Sequence, residues 1–173
     1  LLVDLDVMER NIADMAGYVK RHGVAWRPHS KCHKTPAIVH LQMAAGAIGV
    51  TCAKLSEAEV MAASGIRDIL IANMVVTPAK AQRFAALRRS ADPIASIDSP
   101  EGAEVLGAAA ASAGVTLRAV PELDLGMDRV GVDPGLVARV QNILMRPKLE
   151  WPVIAAEYAT PRSLFARYAM LLA

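Results

Sequence analysis

The sequence predicts an α/β fold built on a parallel sheet, and three observations predict it. Five prolines each follow a residue able to cap a helix: Thr35-Pro36, Thr77-Pro78, Ser99-Pro100, Asp133-Pro134 and Thr160-Pro161. A side-chain oxygen before the helix accepts an otherwise unpaired amide, and proline in the first turn has no N–H to lose. Ser56 and Glu59 add a sixth start as a capping box, the serine reaching forward and the glutamate back. The first four starts, at Thr35, Ser56, Thr77 and Ser99, are spaced by 21, 21 and 22 residues. That spacing suits one helix, one short strand and two turns, and short apolar runs stand where the strands belong. Regular alternation implies parallel strands joined by right-handed crossovers. Two shapes satisfy it, a doubly wound open sheet and a (β/α) barrel.

The elements follow in order. Residues 5–19 read as an amphipathic helix with Met8, Ile12, Met15 and Val19 on one side. Val24 to Arg27 opens the first strand of the series. A helix runs from Pro36 toward Gly46, and Ala47 to Thr51 is short, apolar and bounded by turn residues, as a buried strand is. Ala58 to Ser64 is a helix stopped by Gly65. Asp68 to Ala72 is a strand, and Ala79 to Arg89 a helix with basic residues outward and in its last turn. Pro93 to Ile97, Ala103 to Ala113 and Thr116 to Val120 continue as strand, helix and strand. Periodicity weakens after Pro134, where 136–144 is expected as helix, Trp151 to Ala156 as strand and 163–172 as helix. About six strand–helix units result. A closed eight-unit barrel takes about 250 residues and not fewer than about 200, so a barrel of 173 residues stays open.

Composition excludes several classes. Apolar residues make up 54% and charged residues 21%, which excludes disorder. A net charge of +2, evenly spread, argues against a nucleic-acid or anionic-membrane partner. No apolar run approaches the roughly 18 residues of a membrane span. Cys32 and Cys52 alone make no disulfide framework, and no signal peptide is read at the start, so a cytoplasmic setting is expected. The chain opens on Leu1 rather than Met, so a partial sequence is expected. No glycine-rich nucleotide motif follows any strand.

Chemistry concentrates in Trp26-Arg27-Pro28-His29-Ser30-Lys31-Cys32-His33-Lys34, at the carboxyl end of the first strand, where parallel α/β proteins place their sites. The segment reads as a solvated basic loop or in one of three sharper ways. A lysine in a partly dry pocket forms a Schiff base with an aldehyde cofactor. His29, Cys32 and His33 bind a metal, although their spacing matches no closed zinc site. Cys32 acts as a nucleophile beside a histidine, although no oxyanion site is legible.

These residues resemble a family. Leu2-Val3-Asp4-Leu5-Asp6, Glu9-Arg10-Asn11-Ile12 and the Arg27 to Lys34 segment are similar to the opening of D-threonine aldolases and D-serine dehydratases. Those enzymes share the pyridoxal-phosphate (PLP) barrel of alanine racemase and carry a pattern close to R-P-H-x-K-T-H-K. Gly46 to Glu59 and Gly65 to Asn73 resemble the next units. Glu122 to Val132 is similar to V-D-x-G-M-x-R-x-G-V. The resemblance covers about residues 2 to 132. It implies a partial (β/α)8 TIM-type barrel of the alanine racemase N-terminal kind, with residues 1–173 forming an incomplete PLP-binding barrel domain and the C-terminal β-domain absent.

The same resemblance implies roles. Lys31, not Lys34, stands at the Schiff-base position; in an extended strand the two would face opposite ways. Arg129 matches the arginine that approaches the cofactor's phenolic oxygen, the structural alternative being a surface salt bridge to Asp128 or Asp124. Arg27, His29, Thr51 and Asn73 are expected at strand ends facing one mouth, the last three among the cofactor's contacts. Cys32 replaces the usual threonine. The family's metal ligands lie in its C-terminal domain, so no metal ligand is carried onto this chain, and a Mn- or Zn-type divalent ion is expected only in a complete protein. The implied activity is a PLP-dependent lyase on D-3-hydroxy amino acids, by retro-aldol cleavage to glycine and an aldehyde. The alternatives are a D-serine dehydratase-like ammonia-lyase and a non-catalytic α/β fragment that binds no cofactor. The implied partner is a small D-amino acid, with a homodimer in the complete protein.

Overall fold

The computed structural model describes residues 2–135. The elements expected over 136–144, 151–156 and 163–172, and the Thr160-Pro161 start, lie outside the described residues. The chain divides into two compact units, Leu1–Gly131 and Val132–Ala173. In the second, Asp133 caps its Pro134 start by accepting the Gly135 amide at 2.7 Å.

The first unit holds helices α1 (Leu5–Arg21), α2 (Pro36–Ala44), α3 (Leu55–Ala63), α4 (Pro78–Leu87) and α5 (Pro100–Ala113). They alternate with strands β1 (Val50–Cys52), β2 (Asp68–Met74), β3 (Asp92–Ile97) and β4 (Arg118–Pro121). The strands are all parallel, in the order β1-β2-β3-β4. That order decides between the two shapes. A doubly wound sheet reverses its strand order and carries helices on both faces, whereas a barrel adds each strand beside the last and keeps its helices outside.

Burial agrees with the barrel. Val50, Cys52, Ile69, Ile71 and Ala95 pack into one core with Ala58, Met61 and Ala62 of α3, Phe84 and Ala85 of α4, and Leu106 and Ala109 of α5. The alternate residues Thr51, Leu70 and Ile94 therefore share the opposite, inner face, in register with Arg118. β4 is exposed along its length. Among the described residues no helix is long and apolar enough to cross a membrane.

Four local expectations are corrected. The capping box at Ser56 and Glu59 does not form. α3 starts earlier, with Lys54 as its N-cap, and Glu57 supplies the reach-back bond by accepting the Ala53 amide at 3.0 Å. Glu59 pairs instead with Arg83 of α4. Thr77 and Ser99 do accept the Lys80 and Gly102 amides, but the Thr35 hydroxyl donates to the His33 carbonyl and caps nothing. α4 ends at Leu87, so Arg88 is its C-cap and no basic residue lies in its last turn. Lastly, the first strand shrinks to one bridge, His29 beside Thr51. Ile48 donates to Trp26 and Thr51 to Pro28, so three residues on one side oppose two on the other. Pro28 has no N–H to return a bond, and the ladder cannot extend.

α1 is the least buried helix. Asp4 caps it by accepting the Val7 amide at 3.1 Å, and Asp6, Lys20 and Arg21 suit its dipole. None of its residues is buried, and Met15, expected inward, is 47% exposed.

Candidate active site

Parallel strands send all their carboxyl ends to one side of the sheet, and the chemical segment emerges there. Ser30 is buried: its amide and hydroxyl both donate to the Thr51 carbonyl, at 2.9 and 3.2 Å, and its hydroxyl lies 3.7 Å from the Cys52 sulfur. The chain then turns. Lys34 donates its amide to Ser30 at 2.7 Å and takes a left-handed φ of 51°, so 31–34 is a tight turn rather than extended strand. The expectation that Lys31 and Lys34 face opposite ways as strand neighbours is therefore replaced by a different separation. The Lys34 amine lies 3.4 Å from Glu57. Among the described residues the exposed Lys31 amine has no carboxylate partner.

Two histidines bracket this turn in the same manner. His29 Nδ1 accepts the Lys31 amide at 3.2 Å, and His33 Nδ1 accepts the Thr35 amide at 3.1 Å. An imidazole offers that lone pair only while neutral. Burial, then the Lys31 charge, push His29 below its usual value, against opposing pulls from Glu57 and the Thr51 backbone. Burial likewise lowers His33. Cys32 is exposed, whereas burial pushes the Cys52 thiol up.

The other expected residues divide. Thr51 is paired with His29 and buried on the inner face, its hydroxyl 3.4 Å from the Arg27 carbonyl. Asn73 stands at the end of β2 but not beside them: it donates to the Ala53 carbonyl at 3.3 Å and lines a concavity with Lys54, Ser56 and Lys80, on the helix side of the sheet. Arg27 is corrected outright. Its guanidinium binds Asp68 through Nε and Nη2, and Asp68 begins β2, at the opposite end from the mouth. Arg118 joins the same group, 3.3 Å from Asp68 and 2.6 Å from Asp92. Gly49 makes this pairing possible. It lies between Arg27 and Asp68 in the sheet, and a Cβ there would fall on the Asp68 backbone oxygen and carboxylate.

Arg129 sits in the loop after β4, exposed, with no hydrogen bond or ion pair among the described residues. The salt-bridge alternative does not form: neither Asp124 nor Asp128 pairs with Arg129, and Asp124 Oδ1 accepts the amides of Gly126, Met127 and Asp128 instead. No hydrogen bond links Arg129 to the Lys31 turn; the two share only the carboxyl side of the sheet. Among the described residues no three His, Cys, Asp or Glu gather as a metal set. Sequence reading missed Glu57, Ser30 and Asp124. Asp124 carried a signal, an Asp two residues before a glycine, as in an Asx turn.

A parallel singly wound sheet with a lysine turn at its carboxyl end and a Gly-Met-Asp-Arg loop three strands away defines a barrel of the alanine racemase kind. Residues 3–160 match the model of the alanine racemase N-terminal domain, and the chain belongs to that family. It is 41% identical over 134 residues to a 3-hydroxy-D-aspartate aldolase of Paracoccus denitrificans, covering 76% of this chain and 35% of that one. It is 36% identical over 131 residues to a D-threo-3-hydroxyaspartate dehydratase of Delftia sp. strain HT23, covering 76% and 34%. The crystal structure of D-threonine aldolase from Filomicrobium marinum superposes with a TM-score of 0.78 at 42% identity, covering 82% of this chain and 38% of that one. The chain thus spans about a third of the length of the curated relatives it matches.

Proposed function

We propose that this chain is the opening part of a PLP-dependent lyase acting on D-3-hydroxy amino acids, with residues 1–173 as an incomplete cofactor barrel. One observation carries the reading: of the two lysines in the turn, Lys34 is held by Glu57, and Lys31, at the carboxyl end of the sheet, has no carboxylate partner among the described residues. A lysine with no carboxylate partner among the described residues, at the carboxyl end of the sheet, is the group an aldehyde cofactor condenses with, so the residues present fit PLP. Lys31 would hold it covalently. Arg129 would place a permanent positive charge against its phenolic oxygen. His29 and Thr51, paired on the inner face behind Lys31, would line its near side. Asn73 is assigned to the strand end instead, since its side-chain bonds go to the Ala53 carbonyl and the Met74 amide.

When bound, PLP supplies an electron sink for the pair released at the α-carbon of an amino acid. This chain's residues position the lysine that would hold it. Neutral His29 orients the backbone of Lys31 through its Nδ1, and Glu57 removes Lys34 from competition. Retro-aldol cleavage is the first reading, supported by 41–42% identity to aldolases acting on 3-hydroxy D-amino acids. Loss of the hydroxyl is the second, supported by the dehydratase relative. The test is incubation with PLP, borohydride reduction and peptide mass mapping. Pyridoxyl label on the Lys31 peptide is expected. Label on Lys34, or on no lysine of the turn, overturns the reading in favour of a fragment that binds no cofactor.

A further inference from the structure

We propose that Asp124 is a positioning residue for Arg129: its carboxylate folds the loop that presents the guanidinium at the carboxyl ends of the strands. This rests on the reading of Arg129 as a cofactor contact. One oxygen, Asp124 Oδ1, accepts three successive amides, from Gly126 at 2.9 Å, Met127 at 2.9 Å and Asp128 at 3.2 Å. Successive amides converging on one anion form a concave nest. Those amides, Gly126 first, hold the Asp124 carboxyl below its ordinary value, so it is charged at neutral pH.

Apolar packing does not explain the loop's shape, since Leu125 and Met127 are 84% and 72% exposed. Its two ends are pinned by the backbone. Glu122 donates to the Ile97 carbonyl at 2.9 Å and Gly131 to the Asp98 carboxylate at 3.3 Å. Gly131, at φ 109°, packs so closely on Leu123 and Asp124 that no Cβ fits. Between these pins, among the described residues, the side-chain bonds that set the path are those to the Asp124 oxygen, and the path ends with Asp128 in the left-handed region at φ 51° and Arg129 directly after it. A carboxylate that held nothing but a surface turn would have no reason to influence a side chain five residues on. Here the residue next to its last bonded amide is the arginine.

The experiment compares Asp124→Ala, Asp124→Asn, Arg129→Leu and the Asp124→Ala/Arg129→Leu double variant in the full chain. The first signal needs no cofactor: amide exchange at Gly126, Met127 and Asp128, and the backbone amide chemical shift of Arg129. D124A is expected to lose the protection and move the Arg129 amide to its random-coil shift, and D124N, which keeps an acceptor oxygen, to preserve most of both. The second signal is the Kd for PLP by absorbance titration. D124A is expected to raise it about tenfold, as R129L does, and the double variant no further. An Arg129 signal unchanged in D124A overturns the proposal whatever the cofactor does. So do additive effects in the double variant, or D124N behaving like D124A. A Kd indifferent to R129L overturns instead the reading of Arg129 underneath, and the two failures are seen on different signals.

Discussion

The two ends of the sheet use the same charges differently. At the amino ends of the strands arginines meet acids: Arg27 with Asp68, and Arg118 with both Asp68 and Asp92. Arg88 closes the group, 3.2 Å from Asp92 and bonded to the Thr116 and Ala91 carbonyls. At the carboxyl ends Glu57 takes Lys34, whereas Lys31 and Arg129 have no carboxylate partner among the described residues. A cation satisfied within the protein contributes to stability and is chemically spent. One held in place by its backbone, with its head unpaired, is available. The division follows the barrel rule that the amino face carries stability and the carboxyl face function.

The largest expected effect breaks the carboxyl end. Lys31→Ala removes the borohydride-fixed pyridoxyl group altogether, and Lys34→Ala retains it, as read by the mass of the reduced protein. The reverse would move the attachment point to the lysine that Glu57 holds.

The amino end breaks by a different measure. Asp68→Ala leaves Arg27 without a partner on the half-buried inner face and removes one of two partners from Arg118. A hydrogen bond to a charged group contributes about 1.5–3 kcal/mol, and a lower urea midpoint with unchanged slope is the expected reading. Gly49→Ala meets the same carboxylate sterically and costs about 1–3 kcal/mol by overpacking. If the comparison holds, the stability lost is not accompanied by a change in lysine labelling under conditions where the variant is folded.

Arg129→Leu sharpens the contrast. It weakens PLP about tenfold through loss of a charge-assisted bond and leaves the thermal midpoint where it was, since the side chain has no partner to lose among the described residues. Arg129→Lys recovers part of the affinity, because an ammonium keeps the charge without the planar fork. A shifted midpoint with an unshifted Kd would place Arg129 with the stabilising arginines instead.

The carboxyl end was the more legible of the two. Lys31 and Arg129 stand in short local patterns, and the units between them announced themselves through Pro36, Pro78 and Pro100. The ionic group was not legible, because Arg27 and Asp68 are 41 residues apart and Arg118 and Asp68 are 50. Nothing local distinguishes those charges from solvated ones, so Arg27 was read with its neighbours at the mouth. The one clue was Gly49, a glycine in the Ala47 to Thr51 run expected as a strand, which marks a close approach without naming what approaches. The Lys31 turn was misread as strand for a related reason. Its geometry comes from Lys34 folding back on Ser30 and from Glu57 on another element, and residue spacing alone carries neither.

The smallest expected effect is a pH dependence confined to the carboxyl end. His29 and His33 each accept an amide through Nδ1, and protonation removes the lone pair that accepts it. Both lie below the usual 6.5, from burial first. Below that value the unfolded chain takes up protons that the folded chain refuses. Their contribution to stability is therefore full above 6.5 and is lost as pH falls from there through the lowered folded values. Most carboxylates titrate below about pH 5, so the interval between about 5.5 and 6.5 isolates the histidines. The urea midpoint should fall across that interval, and the Lys31 and Thr35 amides should exchange faster than the intrinsic rate change allows. Replacing both His29 and His33 with Asn keeps an acceptor near the Nδ1 position without the titration, so the slope should flatten. A slope that survives in the double variant would overturn its assignment to His29 and His33. The ionic group at the amino end, built from arginines and carboxylates, should show no change in amide protection over the same range, which makes one titration a measurement of both ends.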